Sequence, residues 1–342
     1  MAQIAFVVGH TYVYWNSIIT VLASAVAICL FLSLWLGKGK KCMAGILVIP
    51  LAIALSVILS RLVCWYFRPE SYIGISEVLD IRVSGDMALS GAFAGCFLSA
   101  VLIRVIRLTD SLPELLDCLC LAGGTGIAVG RLASFFDVSD RGMILSAQIG
   151  FPWGCVISNP VNAVEEYRLA TFMIQSLITA VIVLIFLAVY LLKREQFRDG
   201  DMTLLFLQCY GAAQVILDST RYDSLYFRSN GFVSVVQVLG ALAVALAVVV
   251  FAARMVYAGG WKKWYPALWI PQLACFGLAG YMEYHVQRHG NEALFAYSVM
   301  GAALAAIILS TLVSRRLAIR MENQRKEILF SVLTPEGDAV NA

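Results

Sequence analysis

The sequence predicts an all-α, polytopic integral membrane protein of about nine transmembrane helices, and three observations carry that reading. Of the 342 residues, 61% are hydrophobic and only 14% charged, where a soluble domain carries about a quarter charged. Nine apolar runs each approach the ~20 residues that cross ~30 Å of hydrocarbon at 1.5 Å per residue. Basic residues lie between these runs in a pattern that alternates from side to side.

Taken in order, the first span covers 16–36 and is closed by Lys38, Lys40 and Lys41. The second, 44–66, follows directly, and the third, 88–106, is flanked by Arg104 and Arg107. The fourth, 114–130, is short and rich in glycine, with G-x-x-x-G at 126–130 suited to close helix packing. The fifth, 167–192, ends on Lys193, Arg194 and Arg198. The sixth, 203–218, is again short, so tilt or a partly interfacial position is expected of it and of the fourth. Arg254, Lys262 and Lys263 follow the seventh, 232–253; the eighth and ninth cover 267–284 and 294–313. Arg315, Arg316, Arg320, Arg325 and Lys326 come last.

These 16 basic residues alternate onto one side, which the positive-inside rule makes cytoplasmic, with the N-terminus outside and the C-terminus inside. Tyr12, Tyr14 and Trp15 then form an outer aromatic belt, and Trp261, Trp264 and Tyr265 an inner one. Three histidines, and nine cysteines without a C-x-x-C, argue against a metal site or a disulfide framework. No cofactor and no nucleic-acid partner is expected.

Nine basic residues remain: Arg61, Arg68, Arg82, Arg131, Arg141, Arg168, Arg221, Arg228 and Arg288. All are arginine, and every lysine belongs to the cytoplasmic set. The planar guanidinium grips phosphate or carboxylate with two parallel hydrogen bonds and keeps its charge when partly dehydrated. An arginine-only outer face therefore suggests anion binding near the membrane. Ion pairs with Glu70, Asp86, Asp137, Asp140, Glu165 and Asp223 are the competing structural use and account for the majority of these arginines. Arg131 draws the eye first, because it directly follows the glycine-rich span, and charge beside hydrocarbon costs several kcal/mol.

The stretch "VGRLASFFDVSDRG" (129–142) resembles the G-R-x-G-N-F-x-N-x-E signature of bacterial prolipoprotein diacylglyceryl transferases through Gly130, Arg131, Leu132 and Phe135. "SGDMALSGAFAG" (84–95) is similar to the family's G-G-M-S-F-H-G-G-L-x-G, with Gly85, Met87, Gly91 and Gly95 in step. "NPVNAVEEY" (159–167) resembles H-P-x-Q-L-Y-E and keeps Pro160 and Glu165. "YGAAQVILDSTRYD" (210–223) resembles Y-G-x-x-R-x-x-x-E-x-x-R, keeping Tyr210, Gly211 and Arg221, with Asp218 for the glutamate. "LSRLVCWYF" (59–67) echoes R-L-G-Y-V-x-F through Arg61 and Leu62, and Gln237 falls where the family carries a glutamine. Five segments in the family's order cover residues 1 to about 255.

The resemblance implies a seven-helix core over 1–255, two additional helices over 256–313, a basic, polar cytoplasmic tail over 314–342, and a place in the bacterial cytoplasmic membrane. It implies transfer of diacylglyceryl from phosphatidylglycerol, or a similar phospholipid, to a lipoprotein cysteine at the outer leaflet, with a lipobox peptide as acceptor. Such a reaction needs a base for the thiol proton and cations for the leaving phosphate. Arg131 and Arg221 match the second need. Asp137 and Glu165 are candidates for the first, alongside Asp86 and Asp218, with Asp137 foremost because it lies close behind Arg131. Expected around the lipid are Arg61, Gly85, Ser90, Gly91, Gly130, Ser134, Asn159, Tyr210, Gln214, Asp218 and Gln237. The sequence also departs from the family. Ser90 and Asn159 replace histidines, Ser134 and Asp137 replace the signature asparagines, Ser139 replaces the glutamate, and Gln214 an arginine. Two functions remain open, a transferase and a relative that binds lipid or lipoprotein without chemistry. A transporter would need repeated halves, and none is found.

The alternation fixes a testable topology. In single-cysteine variants, a cysteine at position 40 is expected to stay unlabelled by impermeant reagent added to intact cells; labelling from outside would reverse the orientation.

Overall fold

The computed structural model describes residues 4–9, 11–80, 87–137, 140–158, 164–221, 223–227, 230–289 and 293–333. Each apolar run is a helix: α1 Trp15–Leu36, α2 Cys42–Phe67, α4 Leu89–Val105, α5 Leu112–Gly130, α6 Thr171–Lys193, α7 Asp201–Ser219, α8 Val235–Gly259, α9 Tyr265–His289 and α10 Ala293–Leu333. A short α3, Ile75–Leu79, lies between α2 and α4. Among the described residues, six helices are long and apolar enough to cross a membrane: α1, α2, α5 with the turn that follows it, α6, α8 and α10. The chain is thus an all-α polytopic membrane protein. The chain folds as two compact units, Met1–Ala241 and Leu242–Ala342.

Three antiparallel hairpins interrupt the helical pattern: β1 (Ile4–Val8) with β2 (Thr11–Tyr14), β3 (Gly154–Ser158) with β4 (Glu165–Leu169), and β5 (Tyr226–Phe227) with β6 (Asn230–Ser234). In each, the second strand leads into a helix, α1, α6 or α8. Two span boundaries are corrected by this. The fifth was expected from residue 167, but Tyr167, Arg168 and Leu169 pair with Val156, Cys155 and Gly154, and the helix starts at Thr171. The seventh was expected from 232, but β6 runs to Ser234. There Ser234 Oγ accepts from Gln237 N (3.1 Å) while Gln237 Oε1 accepts from Ser234 N (3.0 Å), a capping box that opens α8. At the other end of the chain, the expected tail from 314 begins as helix, since α10 continues to Leu333 with Ser314 and Arg315 buried.

In the first unit, glycines set how closely helices approach. A Cβ on Gly91 would lie 2.3 Å from the Leu59 carbonyl oxygen, and one on Gly95 2.4 Å from Ser56 N, so α2 and α4 touch backbone to backbone. Gly124 of α5 seats Phe206 and Val183, whose carbons would stand 2.6 and 2.7 Å from a Cβ. At the lysine-bearing end, buried Glu114 accepts from Lys38 (3.3 Å), Lys40 (2.7 Å) and Arg194 (3.2 Å). One turn on, Asp117 accepts from Gly200 N and Thr203 N (2.8 Å each) and Thr203 Oγ1 (2.7 Å), capping the first turn of α7 from a neighbouring helix. This end fixes how α1, α5, α6 and α7 begin and stop. In the second unit, Met255, Tyr265 and Ala318 share a buried cluster, and Gln272 Nε2 donates to Ser310 Oγ (2.9 Å) across α9 and α10.

The glycine contacts predict opposite outcomes for one substitution type. Gly91→Ala is expected to cost about 1–3 kcal/mol, because backbone must move to admit the methyl. Gly123→Ala, with no atom within 4 Å of the added carbon, should hold or raise the melting temperature. Thermal melts in detergent compare the two.

Candidate functional site

Past Gly130, α5 tightens into a 3₁₀ turn over Arg131–Phe136. The backbone then folds back at Asp140, which holds φ +60°, a left-handed conformation that aspartate tolerates better than most residues. Its carboxylate is shared between two helices. One oxygen, Oδ2, accepts from Arg131 Nη1 and from Ser134 Oγ (2.9 Å), and Oδ1 pairs with Arg221 Nη2 (2.5 Å). Arg131 starts the turn after α5 and Arg221 lies just beyond α7.

The backbone of Asp140 is held as well. Its N–H donates to Asp223 Oδ2 (2.9 Å), and its carbonyl accepts from Phe172 N (3.2 Å) in the first turn of α6. Asp223 Oδ1 also receives Arg221 Nε (3.1 Å) and Nη2 (2.9 Å), while Asp218 Oδ1 stands 3.5 Å from Arg221 Nη1. Arg141 lies over the Phe172 ring at 4.5 Å and donates to the carbonyls of Ser134 (3.0 Å) and Asp137 (2.6 Å). Gly142 N donates to Leu169 O (2.8 Å), which ties the β3–β4 hairpin to the same point.

Burial penalises the ionised form of Asp140, but Arg131 and Arg221 outweigh it and hold the carboxyl below the usual carboxylate range. Burial likewise works against the charge of Arg221, and Asp140, Asp223 and Asp218 together push its pKa above the ordinary value. The centre is an ionised cluster, with two cations meeting on one anion.

Behind it, α7 carries a polar stripe. Tyr210, Gln214 and Asp218 follow at intervals of four, on one helical face, leading to Arg221. From α6, Gln175 Nε2 donates to Gln214 Oε1 (2.7 Å) and to Tyr210 OH (3.3 Å). Gln175 Oε1, Gln214 Nε2 and Ser90 Oγ are buried with no hydrogen-bond partner. In hydrocarbon such atoms are costly, so the hydrogen-bonded pair Gln175 and Gln214, each with an atom to spare, suits a polar ligand group. Among the described residues no group of three or more histidine, cysteine or acidic side chains could hold a metal ion.

The structure therefore gathers Arg131, Ser134, Asp218 and Arg221 at the centre, with Tyr210 and Gln214 on the stripe beside them. Gly130 directly precedes Arg131, its added carbon 3.6 Å from Ala23. Asp137, expected foremost because it lies close behind Arg131, accepts from Asn16 Nδ2 (3.4 Å), and the ion pair of Arg131 is with the later acid Asp140. Glu165 is exposed at the far end of β4, four residues or about 13 Å from Leu169. Arg61 is buried elsewhere, donating to Glu77 O (3.0 Å) with its guanidinium 5.1 Å from the Tyr72 ring. Gly91 serves helix packing. Gln237, expected at the lipid, has its amide engaged in the capping box and in a bond to Val215 O (3.1 Å). Gly85 and Asn159, with Asp86 and Ser139, lie outside the described residues. Asp140, Asp223 and Gln175 were not among the expected site residues. Asp140 and Asp223 were named only as ion-pair partners of these arginines, which they are, and Gln175 had a plain sequence signal, a polar side chain inside an apolar run.

The acid response follows from the sign of the Asp140 shift. A carboxyl held low in the folded state contributes stability above its unfolded pKa of about 3.9, and that contribution disappears as pH falls through the folded value. Asp140→Asn should melt lower than wild type near neutrality and lose less on going from pH 5 to pH 2.5; equal acid slopes would show that the cluster does not hold the charge.

A model of the prolipoprotein diacylglyceryl transferase family matches residues 3–253. Similar curated proteins include phosphatidylglycerol–prolipoprotein diacylglyceryl transferase 1 of Clostridium perfringens, 23% identical over 74% of this chain and 96% of that one. The enzyme of Listeria innocua is 28% identical over 72% and 87%, and that of Lactobacillus delbrueckii subsp. bulgaricus 25% over 77% and 93%. The family match spans the first to the seventh apolar run, and with them both arginines of the centre. The chain belongs to the prolipoprotein diacylglyceryl transferase family.

Proposed function

We propose that this protein transfers diacylglyceryl from phosphatidylglycerol to the cysteine of a prolipoprotein in a bacterial cytoplasmic membrane. The names of its relatives support both substrates. The observation that carries the reading is the meeting of Arg131 and Arg221, from different helices, on one anion beside a polar stripe.

In the reaction, the acceptor sulfur attacks the glyceryl carbon and the carbon–oxygen bond to phosphate breaks. A thioether forms and glycerol phosphate leaves with the bonding pair. Negative charge gathers on the departing phosphate, where two guanidiniums stabilise it. Ser90, Gln175 and Gln214 offer hydrogen bonds to the glycerol hydroxyls of the headgroup. The thiol must lose its proton first, since thiolate is the nucleophile. Asp140 is a poor acceptor because its carboxyl is held low. Asp137, hydrogen-bonded to the neutral amide of Asn16, is assigned that role. Glu165, at the exposed edge of its hairpin, is left to contacts with the acceptor chain. All nine long helices span the bilayer in this reading, with the arginine centre at the outer leaflet. Residues 1–255 form the transferase-like core, 256–313 two further spans, and 314–342 the cytoplasmic end.

The test is transfer of labelled diacylglyceryl from phosphatidylglycerol to a lipobox peptide. Arg131→Lys keeps the charge and loses the fork, so loss of one charge-assisted contact of about 1.5–3 kcal/mol predicts a roughly 10- to 100-fold slower turnover with folding intact. Asp137→Asn should lose at least as much, with partial recovery at higher pH. Lipid binding without transfer to any lipobox peptide would replace this reading with that of a lipid-binding scaffold.

A further inference from the structure

We propose that Asp140 is an internal stand-in for the lipid phosphate, a counter-ion that the headgroup displaces when it takes Arg131 and Arg221. The inference rests on the reading of those arginines as the phosphate site. A carboxylate and a phosphodiester share the feature that matters, two anionic oxygens on one centre. Asp140 spends one oxygen on each guanidinium, and the two guanidiniums come from different helices.

The surroundings let the side chain leave while the centre persists. The backbone of Asp140 is fastened independently of its carboxylate, through Asp223 on its N–H and Phe172 N on its carbonyl. Displacement is then a side-chain rotation about a fixed backbone. Arg221 keeps Asp223 and Asp218 as counter-ions throughout, so it stays anchored. Arg131 is different. Among the described residues its ion pair is with Asp140, so the incoming phosphate replaces its carboxylate. Arg131 is the arm that changes partner and Arg221 the fixed post.

The arrangement has a use in turnover. Two buried cations facing each other with no anion repel, a cost that either Asp140 or an incoming phosphate relieves. Asp140 holds them in place between lipids and offers itself again when glycerol phosphate departs, so it acts as a positioning residue that lowers lipid affinity and speeds release.

Two measurements on the full-length protein in detergent test this. In the first, short-chain phosphatidylglycerol is titrated into wild type, Asp140→Asn and Arg131→Gln, with turnover followed in parallel. Asp140→Asn should bind several-fold tighter and show a lower KM together with a lower kcat, while Arg131→Gln binds about tenfold or more weakly. The second needs no variant: carbodiimide labelling of wild-type Asp140, read by peptide mass spectrometry, should rise when saturating phosphatidylglycerol is added. Asp140→Asn binding no tighter than wild type, or labelling that lipid leaves unchanged or lowers, overturns the displacement. If Arg131→Gln binds phosphatidylglycerol as tightly as wild type, the arginine reading itself has failed, and that result is distinct from a failure of Asp140 alone.

Discussion

One residue, Asp140, makes separate parts of the chain agree on a position. The end of α5 reaches its carboxylate through Arg131 and the end of α7 through Arg221, the start of α6 holds its backbone carbonyl through Phe172 N, and, two residues on, Gly142 N ties the β3–β4 hairpin in through Leu169 O. Burying charge costs several kcal/mol per ion before any partner is counted, and removing one partner from a buried pair is strongly destabilising. The cluster therefore contributes registry more than net stability. The backbone bonds to Asp140 hold that registry independently of its side chain.

The same three helices are tied at their opposite ends by a second polar set. Glu114 opens α5, Arg194 follows α6, and Asp117 caps α7, while Lys38 and Lys40 join from the turn after α1. Between the two ends the helices meet through small residues and aromatic edges, as at Gly124 against Phe206. Apolar side chains gain little from leaving lipid for protein, so close contact in the middle and polar fixation at the ends divide the task. The stripe of Tyr210, Gln214 and Asp218, with Gln175 opposite, is the exception to that division. Polar atoms in the middle are tolerated where a ligand can use them.

Much of the fold was legible because a run of about twenty apolar residues has few alternatives in a membrane. The helix starts at Thr171 and Val235 were not, because Tyr167, Leu169 and Val233 continue the apolar run while lying in strands β4 and β6. Hydropathy reports composition and is blind to hydrogen-bond register. Arg131 and Arg221 were legible through the order of motifs around them, although 90 positions separate them. Asp140 was passed over as a site residue for Asp137, the acid nearer in sequence, since no composition rule announces which acid the folded chain sets on Arg131. Gln237 shows the converse. It stands at a family position, yet Ser234, three residues earlier, makes it the second half of a cap.

The Glu114 cluster also bears on how the chain is made. Lys38 and Lys40 leave the ribosome well before Glu114 is synthesised, and Arg194 is added 80 residues after it. While the first hairpin is threading the bilayer, its lysines have no carboxylate to lie on and present their full charge to the insertion machinery. Only later does Glu114 gather them, and Arg194 completes the set once α6 is in place. In the orientation proposed above, charges that steer the nascent chain are thus recycled as fastenings of the mature one. Glu114 would then be dispensable for choosing orientation and needed for what comes afterwards, so its replacement should yield correctly oriented but poorly assembled protein.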